Sequence, residues 1–201
     1  MRPDWPFVVM SLITFALPEL VIADTTVINF DNFNDGDVVT TQIPGVTFTN
    51  TIVLTAGISL DDSDFPPHSG TNVASDNGGP ISISFATTIS ELWAYFTYAE
   101  PVTLQAFNPS NSLIATASSL FPNNTSTGGF PGSAPNELVQ VAAPGIKSVT
   151  FTGDPGGDSF AVDDVTFTNS AIVAPEPHCI VLMVLGLIEY WLWSKTQMLM
   201  S

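Results

Sequence analysis

Two adjacent acids, Asp163 and Asp164, interrupt the run Phe160-Ala161-Val162-Asp163-Asp164-Val165-Thr166-Phe167, whose other residues suit a β-strand. Neighbouring carboxylates in a strand are unfavourable unless one is solvated and the other is bound to something. Phe160 and Val162 would share an apolar face, which Val165 rejoins after a local irregularity at the acids. The bound carboxylate would either ligate a cation or cap a turn. A second acidic run, Asp61-Asp62-Ser63-Asp64, leads into Phe65-Pro66-Pro67-His68 and offers oxygen donors for Ca²⁺, or forms a solvated loop. A third, Asp154-Pro155-Gly156-Gly157-Asp158, reads first as a tight hairpin turn. If the strands flanking it pair, Asp158 reaches the same edge as Asp163.

The aromatic residues pose a parallel choice. In the strand-like run Leu92 to Tyr98, Trp93, Tyr95 and Thr97 alternate with Ala94, Phe96 and Tyr98. Trp93 and Tyr95 would form a stacking platform for sugar rings if exposed, and part of a core if buried. Catalysis finds little support. His68 and His178 are the only histidines, Cys179 is the only cysteine, and there is no Gly-x-Ser-x-Gly or His-Glu-x-x-His motif. Glu91, Glu100 and Glu137 read as edge or turn residues, so no enzyme is expected.

Composition narrows the partners. The 201 residues carry 19 acids against Arg2, Lys147 and Lys195, for a net charge of −16. Such a chain cannot neutralise phosphates, which makes nucleic acid and anionic lipid surfaces poor partners. It can attract cations or simply stay soluble. One cysteine excludes an intrachain disulfide framework and multi-cysteine zinc sites.

These residues must be positioned by short β-rich runs, because no apolar period of 3.6 is sustained between Asp24 and Asn169. The runs are Thr26 to Phe30, Val46 to Phe48, Ile52 to Leu54, Ile81 to Phe85, Leu92 to Tyr98, Val102 to Phe107, Leu113 to Ala117, Leu138 to Val141, Val149 to Phe151 and Phe160 to Phe167. Turns about 8–12 residues apart argue for an all-β antiparallel sandwich or jelly roll. Residues 118–136, rich in Asn, Thr, Ser, Gly and Pro, read as a surface loop or a ligand-facing excursion.

The ends differ from this middle. Residues 1–23 have signal-peptide anatomy, with Arg2, the apolar stretch Phe7 to Ala16, Pro18, and Val21-Ile22-Ala23 before Asp24. After a linker over 169–174 come Pro175-Glu176-Pro177, the apolar run Cys179 to Leu187 containing Gly186, then Tyr190, Trp191, Leu192, Trp193 and Lys195. Aromatic residues followed by a lysine suit a bilayer interface. An N-terminal signal helix and a C-terminal hydrophobic helix are therefore expected to flank residues 24–168.

The order of triplet, apolar segment and terminal basic residue in 175–201 resembles the PEP-CTERM sorting signal. That resemblance implies recognition of Pro175, Glu176 and Pro177 by an exosortase, help from the secretion machinery, and transient inner-membrane anchoring by the rest of the tail. The destination would be the cell envelope or extracellular space of a polysaccharide-producing bacterium. The middle, over roughly 27–168, is similar to the adhesin-like or carbohydrate-binding-module-like domains that precede such tails. Carrying this are Ile28-Asn29-Phe30-Asp31, Asp35-Gly36, Gly45-Val46-Thr47-Phe48, His68-Ser69-Gly70-Thr71-Asn72 and the Phe160–Phe167 run. It implies extracellular polysaccharide as a partner and a structural Ca²⁺ joining the first and last strands, held by Asp31 with Asp163 or Asp164. Backbone carbonyls would complete six to eight oxygens, and Asp158 is a further candidate ligand.

Overall fold

In the computed structural model, residues 24–169, 186–188, 190 and 191 are described. Ten strands alternate inward apolar with outward polar residues over much of their length. They are β1 (Thr25–Ile28), β2 (Val38–Val39), β3 (Val46–Thr49), β4 (Thr51–Thr55), β5 (Asn72–Asp76), β6 (Ile81–Tyr98), β7 (Thr103–Phe107), β8 (Leu113–Ser118), β9 (Glu137–Thr152) and β10 (Phe160–Asn169). All ten pair antiparallel in the order β2-β4-β5-β10-β6-β9-β7-β8, with β1 on β10 and β3 on β6.

The fold is a β-sandwich, as the spacing of short strands predicts. Its layers are joined by two long strands. Ile81 to Phe85 pair with β3 and with the end of β9, whereas Leu92 to Tyr98 pair with β10 and with the start of β9. Between these halves the β6–β9 register shifts twice, at Ser84/Ile89 and Ile89/Glu91. Such irregularities let one strand turn a corner and serve both sheets. The inward set accordingly changes phase, from Ile81, Ile83 and Phe85 to Leu92, Ala94, Phe96 and Tyr98. Runs expected as separate strands, 81–85 with 92–98 and 138–141 with 149–151, are thus single bent strands. Gly145, at φ 82°, marks the bend of β9.

Rings from the two layers meet in the core. Phe96 and Phe151 are perpendicular at 5.1 Å, and Phe85 lies 5.0 Å from Phe167. Aromatic pairs in this range add to the burial of their area. The turn 154–158 corrects an expectation. It does not close a hairpin, because β9 and β10 do not pair and β6 lies between them. β2 and β5 are strands that the sequence reading left out; Val38–Val39 is too short, and Asn72–Asp76 too polar, to signal one.

Residues 186–188, 190 and 191 are helical, and among the described residues no helix is long and apolar enough to cross a membrane. The expected signal segment, the Pro175-Glu176-Pro177 triplet and Cys179 lie outside the described residues.

Candidate functional site

The segment 56–71, between β4 and β5, folds over the outer face of the layer that contains β5, β10 and β6. Leu60 packs there with Val73 and Ala161, and Phe65 lies against them. A loop can lie on a sheet only if its backbone polar groups find partners. Aspartates supply them. Asp163, paired with Tyr95 across β10 and β6, is 1% exposed, and its Oδ2 accepts the N–H groups of His68 at 2.9 Å and Ser69 at 2.8 Å. Its Oδ1 accepts the N–H of Asp164 at 2.7 Å.

Asp164 sits at φ 47° inside the bulge between Asp163 and Thr166, so the irregularity expected from the sequence is present. Its carboxylate accepts the Nδ1–H of His68 at 2.7 Å and the hydroxyl of Ser69 at 2.9 Å. The bulge turns one carboxylate inward under the loop and the other against its rim. Burial raises the Asp163 carboxyl to about 6, against the opposing pull of the N–H groups it accepts.

Beside the loop lies the part of the outer face that holds the expected aromatics. The His68 ring stacks on Tyr95, centroids 3.5 Å apart and planes within 8°. One face of Tyr95 is therefore taken by the protein itself. Trp93 is half-buried on the same face. The strand register sets it in the row Val27, Thr166, Trp93, Gln140. Val27 is 58% exposed, and Leu138, opposite Tyr95 in the next row, is 46% exposed. Gln140 donates its amide to the Glu91 carboxylate one step along. The result is a shallow platform with an indole at its centre, aliphatic groups around it, an amide–carboxylate pair at one side and the His68 rim at the other.

The aspartates expected to share a cation are placed as follows. Asp31 accepts the N–H groups of Thr71 at 2.9 Å and Asn72 at 3.1 Å, which pins the far end of the same loop. Asp163 and Asp164 pin it at His68 and Ser69. Asp158 lies in the β9–β10 turn, close enough to Asp76 to repel it. Among the described residues no three His, Cys, Asp or Glu side chains group to hold a metal ion. The carboxylates of Asp31, Asp163 and Asp164 thus each meet donors of the 56–71 loop.

The run Asp61 to Asp64 is likewise spent locally. The carboxylate of Asp64 accepts the N–H of Thr127 at 2.9 Å and its hydroxyl, which lower its pKa. That contact joins the 56–71 loop to residues 119–136. The latter segment is a fixed loop: the buried amide of Asn124 donates to the carbonyls of Phe96 at 2.9 Å and Ala134 at 3.0 Å, while its Oδ1 accepts the N–H of Tyr98 at 2.6 Å. Sequence reasoning gave His68 no role, because its value depends on two partners about 27 and 96 residues away.

No known protein family matches the sequence, and no curated protein does. Solved structures with a related chain path include a DUF4465 family protein from Bacteroides caccae, at 11% identity and a TM-score of 0.45, covering 73% of this chain and 100% of that one. A family 29 carbohydrate-binding module aligns at 14% identity and a TM-score of 0.40, covering 78% and 99%. A family 6 carbohydrate-binding module from Clostridium stercorarium, in complex with cellobiose, aligns at 14% identity and a TM-score of 0.36, covering 66% and 92%.

Proposed function

We propose that residues 24–169 are a non-catalytic, carbohydrate-binding β-sandwich, carried on a chain that is exported and sorted to the cell envelope through Pro175-Glu176-Pro177. The observation that carries the binding reading is the outward Trp93 at the centre of its platform, flanked by Leu138, Val27 and the stacked His68–Tyr95 pair. An indole face accepts the C–H face of a sugar ring, and the Glu91–Gln140 pair beside it can exchange hydrogen bonds with hydroxyls. A shallow, open platform suits a polymer that extends past both sides, and extracellular polysaccharide is the class we assign.

Affinity electrophoresis of the full chain through gels containing soluble polysaccharides tests the binding reading. Retardation of the wild type by at least one glycan, lost about 10-fold in Trp93→Ala at unchanged melting temperature, is expected. Equal retardation of both proteins refutes Trp93 as the site, and no retardation by any glycan refutes the activity. The export reading is supported by the two end segments of the sequence. Fractionation of cells with and without residues 175–195 tests it, and equal cytoplasmic recovery of both forms rules it out.

A further inference from the structure

Asp76, at the end of β5, takes no part in the site above. It is 1% exposed, and neither carboxylate oxygen accepts a hydrogen bond of normal geometry. The N–H groups of Asp76, Asp158 and Ser159 lie near enough to favour its charged form, but burial outweighs them and raises its affinity for a proton. The Asp158 carboxylate adds repulsion. Two glycine turns close on the group: a β-carbon on Gly157 would stand 3.5 Å from Asp76 Oδ2 and 3.1 Å from the Gly78 nitrogen.

A buried carboxylate needs a compensating charge or a proton. No side chain supplies the charge. Lys147 is the only lysine or arginine between 24 and 169, and its ammonium donates to the Ala86 carbonyl at 2.9 Å, while His68 is held by Asp164. A proton on Asp76 would leave the neighbouring Asp158 carboxylate charged, whereas a divalent cation neutralises both. Asp158 is exposed and lines a groove of about 310 Å³ with Ser59, Asp61 and Ser75, so its carboxylate is open to solvent on one side.

We propose that Asp76 and Asp158 bind a Ca²⁺ ion between the turn after β5 and the turn before β10, with further oxygen ligands drawn from those turns. Two hard carboxylates, one at a strand end and one in a turn, suit Ca²⁺, whose coordination is flexible, better than Mg²⁺, which demands a near-ideal octahedron. The ion fastens the β5–β6 turn to the β9–β10 turn. This site is separate from Asp31, Asp163 and Asp164, and it does not rest on carbohydrate binding.

Terbium luminescence and thermal melts of the full chain, freed of metal by chelation, test the site. Calcium at about 100-fold above its dissociation constant should raise the melting temperature by about 4 °C or more. Asp158→Asn, on an exposed side chain, should weaken Tb³⁺ and Ca²⁺ affinity about 10-fold or more without lowering the metal-free melt, since it also removes a repulsion on Asp76. Asp76→Asn should abolish the calcium shift and melt no lower than the metal-free wild type, because it removes an unpaired buried charge. No shift at about 5 mM Ca²⁺, above the range of weak extracellular sites, overturns the proposal. So does a shift that survives in both Asp158→Asn and Asp76→Asn, which places the ion elsewhere. Should Asp76→Asn fail to fold, the Asp158→Asn titration decides alone.

Discussion

Replacing Asp163 with alanine should produce a stability defect that widens as the solution is made more acid. The wild-type carboxyl has its pKa raised from 3.8 to about 6 by burial. Between those values the folded state binds more protons than the unfolded one, so this group makes the protein more stable as pH falls. From pH 7 to pH 4 the gain is about 2–3 kcal/mol. At pH 7 the alanine variant loses the acceptor for three N–H groups, those of His68, Ser69 and Asp164. Lost bonds of this kind cost about 1–3 kcal/mol each. The variant is also relieved of holding a buried charge, which offsets about 3 kcal/mol of that loss. At pH 4 the relief disappears, because the wild-type carboxyl is then neutral in the folded state. Urea unfolding of both proteins at pH 4, 5, 6 and 7 measures the difference, and other titrating groups cancel in it. A gap that opens by about 2–3 kcal/mol between pH 7 and pH 4 is expected. A gap that stays constant, or narrows on acidification, refutes the account of Asp163 as a charge held under the loop.

Two further substitutions probe the loop system. Gly70 has φ 53°, and a β-carbon there would stand 1.9 Å from Asp31 Oδ2, so Gly70→Ala must both strain the backbone and expel the carboxylate that holds Thr71 and Asn72. A loss of about 2–4 kcal/mol and faster proteolysis within 56–71 are expected, and a wild-type urea midpoint with unchanged cleavage contradicts this. Asn124→Ala leaves the Tyr98 N–H and the Phe96 and Ala134 carbonyls without their buried partner. It should cost about 2–4 kcal/mol and release residues 119–136 to hydrogen exchange; unchanged protection of the Tyr98 amide would contradict the role of Asn124 in fixing this loop.

The alternation of Ile81, Ile83 and Phe85, the two alternating faces from Leu92 to Tyr98, and the irregularity at Asp163-Asp164 are all legible in the chain, because each depends on neighbours within a few residues. Trp93 and Tyr95 could be placed on one face of a strand for the same reason. The sequence could not say that β6 and β9 pass through both layers, since a phase change reads equally as two strands or as one bent strand. It could not say that the turn 154–158 joins strands that do not pair, because pairing is decided by long-range register. Nor could it tell His68 from any other loop residue.

The sequence by itself determined an acidic, β-rich chain with local turn chemistry, two ends of different composition, and Trp93 and Tyr95 on one face of a strand, while whether that face is core or surface was decided by the fold. Tertiary structure alone decided where the acids are used: Asp31, Asp163 and Asp164 hold the 56–71 loop, Asp64 ties it to Thr127, and Asp76 is left buried beside Asp158. The physical reason is that an aspartate has nearly the same local signature on a solvated turn, under a loop or in an ion site. What separates these fates is burial and the identity of the facing donors, and both are supplied by segments distant in the chain.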